Sequence, residues 1–333
     1  PFRAARAAGA RGCEPSGDAD RRRPGSGHRP VRFPGKAGVW LHRFRAIYVG
    51  GLVVTLAVSF HLIGFARVIQ VFYGLSPFQS TCIGGGIMLL FAIKNVLDIK
   101  LKLDVLHTVL FIISFFTVVF FVGKAFIFEK DWMRFFVEHP AKRSLFPADS
   151  SAWFTMFIYL GVQWWSCYLF DGGGAETSRF TAVKNPKDAI KAGLTPILIS
   201  FLLSFFMVIH VVALLGYSKH NMPGELAYVS SLFNLLPSYS KDIVFLGFFA
   251  MFITTAESLL NWGASFLVID AWNGWLNPNK KQKEHRAFSI VMMLALSLLS
   301  VLVAINVSNL LDLIKITFSI SAGVAPLFIL RWI

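Results

Sequence analysis

The sequence predicts an all-α fold, a polytopic membrane helix bundle of about eight transmembrane helices. Three observations predict it. Of the 333 residues 55% are hydrophobic and only 15% charged, with 34 phenylalanines and a mean hydropathy of +0.61. A soluble domain carries about 25% charged residues, so this chain has too little polar surface to cover a water-soluble globule of its size. Apolar residues fall into eight runs, each near the roughly 20 residues needed to cross the hydrocarbon core. Lysine and arginine are unevenly shared between alternate loops, which is the signature of a fixed orientation in the bilayer.

Taken in chain order, residues 1–45 stand apart. They hold eleven Lys/Arg against three Asp/Glu, a balance of +8 within the chain's formal +14. The stretch "RGCEPSGDADRRRPGSGHRPVRFPGKAG" is rich in Gly, Pro and Arg without apolar periodicity, and reads as a basic disordered tail. It has no long apolar core and is not a secretory signal. Because the chain opens on Pro1, the tail is treated as the mis-assembled or out-of-frame start of a fragment and set aside. Arginine blocks can mark nucleic-acid binding, but no nucleic-acid partner is expected. The transporter domain is placed at 46–333.

The eight expected spans are 47–73, 79–97, 104–123, 152–170, 192–216, 242–268, 287–305 and 309–331. With the start of the first span cytoplasmic, the inner loops hold Lys94, Lys100 and Lys102, then Arg179, Lys184, Lys187 and Lys191, then Lys280, Lys281, Lys283 and Arg286. The outer loop 124–151 is the exception, with five basic residues against four acidic. Within it, "FEKDWMRFFVEH" sets Phe128, Trp132, Phe135 and Phe136 at helical spacing, an amphipathic helix lying in the interface. Cys13, Cys82 and Cys167 show no metal or disulfide spacing, and Cys82 and Cys167 are expected to be buried thiols. Arg67, near the outer end of the first span, is expected to snorkel. His61, His107 and His210 are expected to be hydrogen-bonded structural residues.

Two stretches carry candidate chemistry. In "FFAMFITTAESLLNWGASFLVIDAW", Met251, Thr254, Thr255, Ser258 and Asn261 follow spacings of three, four and seven and form one stripe on a helix. Hydroxyls and carbonyls suit a hard cation such as Na⁺. The alternative is that these hydroxyls bond their own i−4 carbonyls or glue neighbouring helices. Glu257 lies off that stripe, and an ionisable group this deep faces a cavity or a partner on another helix. In "GVQWWSCYLFDGGG", Gln163, Trp164, Trp165 and Ser166 precede a break at Gly172–Gly174, where three glycines disfavour a continuous helix. Broken helices in membranes border a solute cavity; the alternative is an interfacial aromatic belt followed by a loop. The following "DGGGAETSR" lacks the spacing of a phosphate-binding loop.

Three stretches resemble the sodium:solute symporter family over about residues 45–333. "GGGAETSRFTAVKNPKDAIKAGL" resembles its "GGGY-x-x-Q-R-x-x-x-A-K" signature, "AMFITTAESLLNWGASFLVIDAW" its "A-x-M-S-T-A-D-S-x-L-N" helix, and "GGGIMLLFAIKNVLDIKLKLDVLHTVL" the helix pair around its "GG-x-x-A-V-x-x-T-D-x-x-Q". The resemblance implies two inverted five-helix repeats, the eight spans being repeat helices three to ten. It implies a Na⁺ ion held by Thr254, Thr255 and the carbonyl of Met251, and a solute near Gln163, Trp164, Trp165 and Ser166. Glu257, Ser258 and Asn261 would accompany the site. Ser178 stands at a usual Gln, Thr254 at a usual Ser and Glu257 at a usual Asp. No segments match repeat helices one and two, so this chain is expected to hold half a Na⁺ site and not to transport by itself.

The implied function is Na⁺-coupled uptake of a small organic solute such as a sugar, by alternating access, without enzymatic chemistry, in a bacterial inner membrane. The alternatives are a sensor or receptor module built on a symporter-like domain, and a membrane enzyme using Glu257 and His210.

Overall fold

The computed structural model describes residues 43–44, 46–94, 100–138, 140, 146–147, 149–158, 160–161, 185–217, 224–276, 282–307 and 309–330. The basic tail before residue 43 lies outside them, with Cys13, as do Cys167 and the whole stretch 162–184.

Ten helices follow one another among the described residues, and no strand. Helix α1 is Ala46–Tyr73, its first two turns Ala46–Val53 wound wide with i→i+5 bonds. Then come α2 (Pro77–Lys94), α3 (Lys100–Lys124, prolonged by a wide turn Ala125–Glu129), α4 (Trp132–Glu138) and α5 (Ser150–Ile158). They are followed by α6 (Pro186–Leu214), α7 (Gly224–Leu235), α8 (Ser238–Phe266, prolonged by Leu267–Leu276), α9 (Gln282–Asn306) and α10 (Leu310–Leu330). Five of them are long and apolar enough to cross a membrane: Ala46–Tyr73, Leu103–Glu129, Pro186–Leu214, Ser238–Ala271 and Ala287–Asn306. Helices α2 and α10 occupy the second and eighth expected spans. The fourth is described only through α5 and residues 160–161.

Local chemistry sets the ends. Gly74, at φ 68°, closes α1 with its N–H on Gln70 O at 2.9 Å, a left-handed position that glycine adopts without a Cβ penalty. At the start of α2 the Gln79 N–H donates to Ser76 Oγ (3.3 Å) and the Ser76 N–H to Gln79 Oε1 (3.1 Å), a capping box. Asn309 caps α10, receiving the Asp312 N–H at 2.8 Å, while Glu225 of α7 accepts the Leu310 N–H at 2.8 Å. A carboxylate at a helix N-terminus meets both the orphan donor and the positive end of the dipole, so α7 is pinned to α10.

Two boundaries differ from the sequence reading. Phe128 belongs to the wide turn ending α3, and Lys130 (φ 54°) reverses the chain before α4. Helix α4 therefore aligns Trp132, Phe135 and Phe136 alone, and Trp132 stacks on Phe126 at 5.1 Å, its Nε1–H donating to Phe126 O. Helix α6 begins at Pro186, six residues before the expected span, so the charged Lys187–Lys191 segment forms its first turns. Its C-terminal end is tied to α3, since the Tyr217 hydroxyl donates to Glu129. Burial and that bond hold the Tyr217 phenol above its ordinary pKa.

Helix α8 is the hub, packing on α3, α1 and α9. The main core joins α1 (Leu62, Phe65, Ile69), α8 (Phe252, Ile253, Leu260) and α9 (Met293, Leu296). A second cluster joins Val118 and Val122 of α3 to Leu214, Leu232 and Val244. In lipid, helices associate by close approach and interhelical hydrogen bonds. Both occur here. A Cβ on Gly50 would lie 3.1 Å from Gly263 O, and one on Gly263 3.0 Å from Gly50 O, so α1 and α8 cross backbone to backbone. Between α1 and α9, Ser59 Oγ shares its hydrogen between Thr55 O on its own helix (2.7 Å) and Ser300 O (3.0 Å), and Ser300 Oγ between Leu296 O on its own helix (2.8 Å) and Thr55 O (3.2 Å). Outward faces are apolar, as on α6, where Leu194, Leu198, Phe201 and Phe205 are exposed. Such a surface faces hydrocarbon and not water. Cys82 is on the exposed face of α2, which corrects its expected burial.

His210 is buried between Phe206 and Tyr228, with ring centroids at 5.8 and 5.4 Å. Neither ring nitrogen has a hydrogen-bond partner among the described residues, against the expectation of a bonded histidine. An unsatisfied buried polar group costs roughly 1–3 kcal/mol. Replacement by a ring without nitrogens, His210→Phe, is expected to stabilise the purified protein by about 1 kcal/mol. A lowered melting temperature would mean that the imidazole has a partner.

Candidate functional site

Helix α8 carries the candidate cation residues at its middle. The serines and threonines of this bundle usually donate to the carbonyl one turn back on their own helix: Thr108 to Asp104, Thr117 to Ile113, Ser265 to Asn261, Thr317 to Leu313, at 2.7–2.8 Å. Thr254 and Thr255 do not follow that habit. Thr254 Oγ1 lies 3.2 Å from Nδ1 of His107 on α3. The Thr255 hydroxyl makes no hydrogen bond among the described residues, which leaves the second lone pair of the Met251 carbonyl unclaimed by the hydroxyl four residues on. Both threonines are half-buried.

Two cavities meet at this segment. One, of about 210 Å³, lies between α3 and α8 and is lined by His107, Thr108, Ala250, Met251, Thr254 and Thr255. The other, of about 370 Å³, lies among α1, α7, α8 and the start of α10. Its aromatic wall includes Phe60, Phe65, Tyr228 and Phe248, and its polar groups come from His61, Arg67, Glu225 and Thr255. That volume is within the roughly 300–1,000 Å³ typical of small-molecule sites. Met251 and Thr255 border both cavities. Arg67 is half-buried, its Nη1 donates to Gln70 Oε1 at 3.1 Å, three residues nearer the end of α1 at Tyr73, and it lines the larger cavity.

The rest of the stripe separates from this pair. Ser258 and Asn261 are exposed, and neither lines these cavities. Glu257 is 6% exposed and sits among the buried residues of α8, on the side of Ala256 and Leu260. That agrees with its expected place off the stripe. Gln163, Trp164, Trp165 and Ser166, the expected solute residues, lie outside the described residues. Sequence reasoning missed His61, Arg67, Glu225 and Tyr228 as cavity residues and His107 as the neighbour of Thr254. Each polar one was visible as a lone group in an apolar run, but spacing along one helix does not say which helix it faces.

An all-α bundle with apolar outer faces and two cavities meeting at a half-buried hydroxyl pair defines an integral, multi-pass membrane protein of the transporter class. A family model described as the sodium:solute symporter family matches residues 31–332, and the chain belongs to that family. A comparison with curated proteins found no match. The family couples solute transport to Na⁺.

Proposed function

We propose that the protein is a Na⁺-coupled symporter of a small organic solute such as a sugar, working by alternating access in a bacterial inner membrane. The observation that carries the cation site is the departure of Thr254 and Thr255 from i−4 bonding. Their hydroxyls and the Met251 carbonyl then supply three uncharged oxygens where α8 meets a cavity. Uncharged oxygens bind a monovalent cation weakly enough to release it, as a coupling ion requires. The larger cavity supports the solute reading: aromatic faces pack against the C–H face of a sugar, and His61, Arg67, Glu225 and Tyr228 offer donors and acceptors for its hydroxyls. Gln163, Trp164, Trp165 and Ser166 are proposed as further solute contacts, and Glu257, Ser258 and Asn261 as accompanying groups on α8.

Coupling follows from differential affinity. Na⁺ bound at α8 favours the outward-open state in proportion to its tighter binding there, and the solute site shares Met251 and Thr255 with the cation site. The enzyme alternative asks Glu257 and His210 to share a cavity, and neither lines the two described above.

Because this chain is expected to hold half a Na⁺ site and not to transport by itself, the test is uptake of labelled sugars into vesicles containing an intact transporter of the same family, in sodium and in choline buffer. Uptake is expected only with an inward Na⁺ gradient. Equal uptake in both buffers would remove the coupling. Sodium-driven uptake of carboxylates or amino acids but of no sugar would move the solute class while leaving the coupling intact.

A further inference from the structure

We propose that His107 is a positioning residue for the cation site, holding the Thr254 hydroxyl so that its lone pairs face the ion. The inference rests on the reading of Thr254 as a Na⁺ ligand. A threonine hydroxyl has one hydrogen and two lone pairs. A hydrogen free to rotate into the site would oppose a cation, and an N–H donating to the oxygen would consume a lone pair. With His107 in the tautomer that carries its hydrogen on Nε2, Nδ1 accepts the Thr254 hydrogen across 3.2 Å. Both lone pairs are then left for the ion.

His107 is built for that task. It is buried, with its ring beside Phe91 and Phe249 at centroid distances of 6.1 and 6.4 Å. Its register is fixed by a second contact two turns away. Ser114, seven residues beyond His107 on α3, packs against Gly247, seven residues before Thr254 on α8. Residues seven apart share a helix face, and the two helices run antiparallel, so the Ser114–Gly247 approach sets the distance at which His107 meets Thr254. His107 is therefore part of the cavity wall between α3 and α8.

The experiment is equilibrium binding of radiolabelled Na⁺ to the purified protein, with His107→Ala, His107→Gln, Thr254→Ala and the double variant His107→Ala/Thr254→Ala. His107→Ala is expected to weaken Na⁺ binding roughly fivefold, the loss of one neutral hydrogen bond. His107→Gln keeps an acceptor and is expected to recover most of that loss. In the Thr254→Ala background, removal of His107 is expected to change nothing further, because there is no hydroxyl left to orient. A merely structural histidine would weaken binding equally in both backgrounds, which would overturn the proposal. Unchanged binding in His107→Ala while Thr254→Ala binds more weakly would overturn it too. No effect from either substitution would remove the cation site at Thr254, and the positioning role with it.

Discussion

Thr255→Ala and Thr254→Ala, made in an intact transporter of the family, are each expected to raise the Na⁺ concentration for half-maximal uptake by about one to two orders of magnitude, with a smaller effect on the maximal rate. A hydrogen bond or ligand contact to a charged partner is worth about 1.5–3 kcal/mol, which is roughly tenfold to 150-fold in affinity. The loss falls on the ion and not on the fold, because neither hydroxyl supports its own helix: that of Thr255 has no hydrogen bond among the described residues and that of Thr254 bonds across to His107. Thr255→Val keeps the shape and removes the oxygen, so it is expected to match Thr255→Ala. Thr254→Ser keeps the oxygen and is expected to stay within about threefold of the parent protein. A Thr255→Val protein with unchanged sodium dependence would show that the ion is held elsewhere.

Gly247→Val is expected to prevent assembly of the bundle, and Gly247→Ala to destabilise it by about 1–3 kcal/mol. A Cβ at Gly247 would fall inside the van der Waals radius of both Cβ and Oγ of Ser114. The Ser114 Cβ is fixed to the backbone whatever rotamer the side chain takes, so only a movement of the helices could clear the space. Ser114 Oγ also lies 3.5 Å from Val244 O, so retreat would disturb the α3–α8 seam further. In lipid no hydrophobic force pulls helices together, and their stability comes from such close approach. Thermal unfolding in detergent would measure the loss, and Ser114→Gly in the Gly247→Ala background is expected to restore most of it. A Gly247→Ala protein that melts like the parent would mean that the two helices stand further apart.

The membrane class was legible because composition and run length are local properties. The first span, expected at 47–73, is helix Ala46–Tyr73, and the last, expected at 309–331, is Leu310–Leu330. The middle spans were legible as to place but not extent. Helix α3 runs to Lys124 and its wide turn to Glu129, and α8 begins at Ser238, because charged residues at a membrane surface continue a helix as readily as they end one. Helix α4 was misjudged at its start because one left-handed residue, Lys130, breaks a spacing that looks regular on paper.

The candidate site divides in the same way. Periodicity placed Met251, Thr254 and Thr255 on one face and Glu257 off it, and the family's motifs gave that face a meaning. Periodicity also joined Ser258 and Asn261 to the stripe, but the cavities end before them.

By itself the sequence determined that this chain lives in a bilayer, which stretches are helical and which face of each helix carries oxygen. Those follow from the 3.6-residue period and from the cost of polar groups in hydrocarbon, both readable one helix at a time. Only the tertiary structure decided that Thr254 meets His107 and not its own carbonyl, that Thr255 opens onto two cavities, and that Arg67 borders one of them. A hydroxyl chooses between its own helix and a neighbour by what stands within about 3 Å of it. That is fixed by how closely α3 and α8 approach at Gly247, a contact between residues more than a hundred positions apart.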